Sequence, residues 1–140
     1  MKSCKKELLT ALVAALKTAM PTMIVRTKLN DFDLSDNSAF PYIYIGEVYQ
    51  TETGAKTLYI YDVELLIQIV YKDVTSLNDL YTSQNSVLSL LTSEKPLTLT
   101  GNFEIIETAL INSNDTEVKV DTGILNVGLI RLRFRIEDKN

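Results

Sequence analysis

From Thr57 to Tyr71 the chain reads TLYIYDVELLIQIVY, a run without Gly or Pro and rich in β-branched and aromatic residues, which predicts one long strand. Side chains alternate across a strand. Tyr59, Tyr61, Val63, Leu65, Ile67, Ile69 and Tyr71 therefore share one wholly apolar face, while Leu58, Ile60, Asp62, Glu64, Leu66, Gln68 and Val70 share the other. Charge in the middle of that second face is not tolerated unpaired in a doubly buried strand. The pattern predicts a central antiparallel strand with helices on one face and the other face partly wet or reserved for a partner.

Before it, Pro41 opens a second strand, Tyr42–Gln50, with Ile43, Ile45, Glu47 and Tyr49 opposed to Tyr42, Tyr44, Gly46 and Val48. Gly54 in the connection supplies the positive φ of a short hairpin, so the two strands should pair antiparallel. Six of the seven tyrosines lie in these strands, as packing on a pleated surface favours.

At the N-terminus Leu9, Leu12, Val13, Leu16 and Met20 fall on a helical stripe, which predicts a first helix over Ser3–Ala19 with Ser3 as cap and Pro21 as stop. MKSCKK followed by an apolar run has the outline of a signal peptide, but Glu7 and Lys17 bracket the run and favour the helix. Residues 21–40 form a loop that can be extended, with Met23–Val25 a short extended piece. Beyond Tyr71 the period becomes helical: Leu77, Leu80, Tyr81, Val87, Leu88 and Leu91 predict a second helix over Thr75–Ser93, with Thr75 or Ser76 as cap and Pro96 beyond its end. The last third reads as another hairpin, Asn102–Asn112 and Thr122–Glu137, joined by a polar SNDTEVKVD segment able to prolong the strands. The expected fold is α+β, helix-hairpin-helix-hairpin (αββαββ), a mostly antiparallel four-stranded sheet with helices on one face, in a single domain spanning 1–140.

Composition removes several classes of function. Apolar content of 46% and charged content of 23% suit a folded domain. A net charge of −4 gives no general attraction for nucleic acid. With no histidine there is no Ser-His-Asp triad, Cys-His pair or imidazole ligand, and the scattered glycines make no phosphate loop, so no catalytic, cofactor or metal residues are assigned and an enzyme is not expected. Asp31, Asp33 and Asp36 invite a calcium loop, yet its sixth and twelfth positions hold Asp36 and Tyr42 in place of Gly and Glu, so a solvated acidic loop is the better reading. The lone Cys4 excludes an intramolecular disulfide; Lys5 and Lys6 beside it would favour its thiolate, though such a cysteine is most often incidental. No run is long enough to span a bilayer as a helix.

The sharpest charge feature is Arg131, Arg133 and Arg135 on one face of the final strand, opposite Ile130, Leu132, Phe134 and Ile136. They can pair with Asp62 and Glu64 if the last strand lies beside the long one, or meet acidic groups on a neighbouring subunit; nucleic acid is the weaker alternative. Asp62, Glu64, Arg131, Arg133 and Arg135 are the candidate subunit interface.

PYIYIG at Pro41–Gly46, continuing as EVYQTETGAKT, then YDVELLIQIVYKD before a helix, and a final strand alternating Arg with apolar residues, together resemble the tail terminator and tail completion proteins of long-tailed bacteriophages. The resemblance covers most of the chain in element order. It implies a structural virion protein assembled in the bacterial cytoplasm, closing into a homo-oligomeric ring, commonly a hexamer, at the head-proximal end of the tail tube. Such a ring ends tube polymerisation and joins tail to neck. Implied partners are further copies of the chain, the major tail tube protein and a neck or connector protein, with DNA passing only through the lumen, and with no cofactor and no membrane. The alternatives are a small αβ module binding a peptide or small ligand, or another neck or head-completion component.

Overall fold

A computed structural model describes residues 2–28, 37–52, 59–93 and 97–139. Its elements are helix α1 (Lys5–Ala19), strand β1 (Ile24–Arg26), a 3-10 turn at Asn37–Ala39, strands β2 (Tyr42–Glu52) and β3 (Tyr59–Lys72), helix α2 (Asn78–Leu91), and strands β4 (Phe103–Val120) and β5 (Gly123–Asp138). They build one five-stranded sheet of order β1-β2-β3-β5-β4. The fold is α+β as expected, but the sheet has five strands where four were anticipated. The added strand, β1, runs parallel to β2 with Ile24 beside Tyr42, so the sheet is mixed. Three residues are too few to display an alternation, which is why the expected short extended piece gave no sign of joining the sheet.

The strand β3 is central, as its uninterrupted apolar face requires. Val63, Leu65, Ile67 and Ile69 are fully buried beneath both helices, against Leu8, Leu12 and Leu16 of α1 and Leu80, Val87 and Leu91 of α2. Ile130, Leu132, Phe134 and Ile136 of β5 continue the same layer. Each such side chain removed from water stabilises the fold by roughly 1.5–3 kcal/mol before entropy is counted, so this layer dominates. The stripe of α1 is centred one residue earlier than the periodicity placed it: Leu8, Leu12 and Leu16 face the sheet, while Leu9 and Val13 lie half-buried on its flank. With leucine at both positions 8 and 9, hydropathy alone does not fix the rotation of the helix.

The helix ends also differ. The residue at the N-cap of α1 is Cys4, with no side-chain cap; Ser3 Oγ accepts only a 3.5 Å bond from the Lys5 N–H. The α2 helix starts at Asn78, whose N–H donates to Ser76 Oγ at 3.2 Å, and Asp79 in its first turn complements the helix dipole. The acidic loop at Asp31, Asp33 and Asp36, the Gly54 turn, Leu58 and Pro96 lie outside the described residues. Among the described residues, no helix is long and apolar enough to cross a membrane.

Candidate assembly surfaces

The face of the sheet turned away from the helices is divided in two. At one end Tyr42, Val70, Leu125 and Val127 form a second, smaller buried cluster flanked by Phe40, Tyr44, Val120 and Leu129. Burial raises the pKa of Tyr42, opposed by Arg26, whose guanidinium lies 6.0 Å from the ring centroid. The other end is the charged strip that the alternation foretold.

Antiparallel pairing of β3 with β5 sets Asp62 opposite Arg135, Glu64 opposite Arg133 and Leu66 opposite Arg131. Arg135 Nε and Nη2 donate to the two oxygens of Asp62 at 2.9 and 3.2 Å, a fork-to-fork pair. That hydrogen bonding, reinforced by the charge of Asp62 and then of Glu107, raises the pKa of Arg135 above its ordinary value. Arg133 Nη2 donates to Glu107 of β4 at 2.8 Å, and Glu107 also lies 3.7 Å from Arg135. Glu64 reaches diagonally to Arg131 at 3.6 Å, although its direct cross-strand neighbour is Arg133. All five candidate residues thus lie on one strip in two sets of ion pairs, Glu64–Arg131–Glu47 and Asp62–Arg135–Glu107–Arg133, each including an acid that periodicity did not supply, Glu47 or Glu107. The Arg131–Glu47 and Arg133–Glu107 pairs keep solvent access on both sides, so each contributes at most about 1 kcal/mol. Their larger effect is to fix where charge lies on the surface.

Glu47 joins the strip through a bulge. The β2–β3 register shifts by one residue between Gly46 and Tyr49, and Glu47 adopts a left-handed φ of 49°. Without the bulge Glu47 would follow Ile43 and Ile45 onto the helix-covered face. With it, Glu47 accepts a 3.0 Å bond from Arg131, and Val48 packs against the main core. Gln50 is carried to the helix side as well, where its Oε1 accepts from the Cys4 N–H at 3.1 Å and from Sγ at 3.5 Å while its Nε2 donates to Lys2 O at 2.6 Å. Cys4 is fully buried there, and loss of hydration pushes its thiol up to about 11. The neighbouring lysines do not make it a reactive thiolate; burial outweighs them.

The outer strand β4 is a long sheet edge. It pairs with β5 along its whole length, so the polar segment does prolong the hairpin, to a tip at residues 121–122. Two register shifts, between Ile105 and Glu107 and between Leu110 and Asn112, leave Ile106 and Ile111 as the extra residues. Both are about half exposed, at 46% and 45%, as is Leu110 at 46%. Bulges on an edge discourage indiscriminate strand addition, yet these leave apolar side chains in solvent. The hairpin is anchored by Asp73, whose N–H donates to Ile124 O and whose Oδ1 accepts from the Ile124 N–H, both at 2.9 Å. Gly123 makes this possible, since a Cβ there would stand 2.4 Å from Asp73 Oδ1. On the helix side Gln84 lies against Gly128 and donates to Asn114 O at 3.1 Å. An open cleft between residues 73–77 and the hairpin tip is lined by Asp73, Ser76, Asp115, Glu117 and Asn126.

No model of a known protein family matches the chain, and a search of the curated proteins finds no match. Solved structures do match in shape. A chain in the virion of the native gene transfer agent particle superposes with a TM-score of 0.74 over 98% of this chain and 99% of that one, at 15% identity. The same fold occurs in a virion. The bacteriophage SPP1 gp17 protein matches with a TM-score of 0.52 over 92% of this chain and 88% of its own, at 21% identity. These likenesses concern the fold, and in both they run almost from end to end.

Proposed function

We propose that this chain is a virion protein of the tail terminator or tail completion kind, which closes into a ring at the head-proximal end of a tail tube, stops tube growth and joins the tail to the neck. The observation that carries this reading is the end-to-end match, without large insertion on either side, to a chain of a gene transfer agent virion. Supporting it are the element order and the PYIYIG and YDVELLIQIVYKD segments that prompted the phage resemblance from sequence. The role is structural, and its chemistry is recognition between proteins.

The charged strip of Asp62, Glu64, Arg131, Arg133 and Arg135 is the surface assigned to contact with a neighbouring subunit. Its charges are already held in ion pairs, with Glu47 and Glu107 among the partners, so a partner that meets it must exchange pairs, which rewards correct placement and penalises a wrong register. A closed ring needs two different, complementary patches on every copy. Partners beyond the ring are the major tail tube protein and a neck or connector protein, with DNA passing through the lumen.

The reading is tested by mixing purified protein with tail tubes assembled from a major tail protein and imaging them in negative stain. Discrete rings capping one end of tubes that stop lengthening are expected. Tubes that grow unchanged, with the protein remaining monomeric by light scattering, would instead favour a small binding module.

A further inference from the structure

The two ends of the sheet carry opposite chemistry. At the β1 end α1 packs over β1 and β2, and its outer flank forms an open groove of Lys6, Leu9, Thr10, Val13, Ala14 and Lys17. Apolar side chains occupy the middle, and an exposed lysine stands at each end. At the opposite end of the sheet, edge strand β4 presents Ile106, Leu110 and Ile111 in solvent, with Glu104, paired to Lys139, before them, Glu107, paired to Arg133, between Ile106 and Leu110, and Asp115 and Glu117 after them. The only basic residue of β4 is Lys119, close to the hairpin tip. An apolar centre bracketed by cations thus lies at one extremity, and apolar residues interspersed with and followed by acids at the other.

Building on the ring reading above, we propose that copies of this chain join head to tail, the β4 edge of one copy seating on the α1 groove of the next. Ile106, Leu110 and Ile111 cover Leu9 and Val13, while Lys6 and Lys17 face the carboxylates of β4. Because the patches lie at opposite ends of one sheet and differ from each other, the contact is heterologous and repeats around a ring. The charged strip adjoins it, since Glu107 belongs to both. The two β4 bulges suit this use: they hinder the pairing of β4 with another β4 while turning apolar side chains outward.

The test uses Val13→Asp and Leu110→Asp in the full chain, with mass by light scattering over a range of concentrations, first for the wild type and then for each variant. Multimers in the wild type, loss of multimers in each variant alone, and a species of twice the monomer mass when the two variants are mixed are expected, because one intact interface survives only in the mixed pair. Reversal of Lys6 and Lys17 to Glu, or of Asp115 and Glu117 to Lys, should each weaken assembly at least tenfold, and both reversals in one chain should restore it; this arm decides if an Asp variant fails to fold. Wild-type multimers that persist in Val13→Asp overturn the proposal, pointing to β4–β4 pairing if Leu110→Asp alone disrupts them and to another surface if neither does. A wild type that never multimerises, even on tail tubes, overturns both this contact and the ring itself.

Discussion

Glu47 and Arg131 meet across three strands of the sheet, Oε2 to Nη2 at 3.0 Å, only because a one-residue bulge turns Glu47 out of the helix-covered layer. A buried, unpaired carboxylate in that layer would cost several kcal/mol. The bulge avoids this by placing a non-glycine residue at a φ of 49°, a conformation that itself costs roughly 1–3 kcal/mol. Glu47→Ala keeps that strain and loses the ion pair, whereas Glu47→Gly loses the pair and relieves the strain. Chemical denaturation should therefore find Glu47→Gly more stable than Glu47→Ala by about 1 kcal/mol. Equal stability, or the reverse order, would contradict the bulge geometry.

Gly123 and Asp73 should be energetically coupled. A Cβ on residue 123 collides with the Asp73 carboxylate that holds the Ile124 N–H, so Gly123→Ala is expected to cost about 2 kcal/mol through forced displacement. With Asp73→Ala already in place the same change should cost at least 1 kcal/mol less, since the obstructing oxygens are gone. A double-mutant cycle by urea unfolding measures this, and strict additivity would show that the two residues do not meet.

The Asp62–Arg135 fork predicts an order of effects among the candidate interface residues. Asp62 is the most buried acid of the strip and holds two of the three guanidinium nitrogens of Arg135, so Asp62→Asn should lower the melting temperature more than Glu64→Gln, whose partner Arg131 retains Glu47. Thermal melts of the two single variants would read this, and a larger loss at Glu64 would contradict the pairing pattern.

Cys4 provides a pH signature. Its folded thiol titrates at about 11, against 9.0 ordinarily, with burial the main cause. Between those values the unfolded chain releases this proton while the folded chain keeps it. The thiol's contribution to stability is thus complete below pH 9 and is lost as pH rises toward 11. The stability difference between wild type and Cys4→Ala should shrink over that range. Iodoacetamide at pH 8 should also modify the folded protein at least about a hundredfold more slowly than the denatured chain, as two pKa units imply. Rapid labelling of the folded protein would show that the site is open.

How far the sequence foretold this molecule depended on whether each segment has a buried and an exposed side. Strand β3 and the Arg131, Arg133, Arg135 face of β5 have both, and their alternation gave the right faces; pairing of the arginines with Asp62 and Glu64 depended on the two strands being neighbours, which they are. Strand β1 has only three residues and no period to read. The outer half of β4, around SNDTEVKV, is exposed on both faces and so shows no alternation, although it stays in the ladder. At Glu47 strict alternation assigned the wrong face, because an inserted residue shifts everything beyond it. The extra acids of the charged strip, Glu47 and Glu107, were missed for related reasons, since each lies at or beside a bulge. The carboxylate at Glu47, set amid apolar β2 residues, was the one signal that could have exposed the irregularity.

On the reading proposed here, the open side and edges of this sheet serve protein assembly. The most direct test of that reading is the mass and shape of the protein on tail tubes, by light scattering and negative-stain imaging of the wild type. Closed rings of uniform diameter at one tube end, with tube length fixed after their arrival, are the predicted result. Tubes that lengthen past the protein, without rings at any concentration, would contradict it.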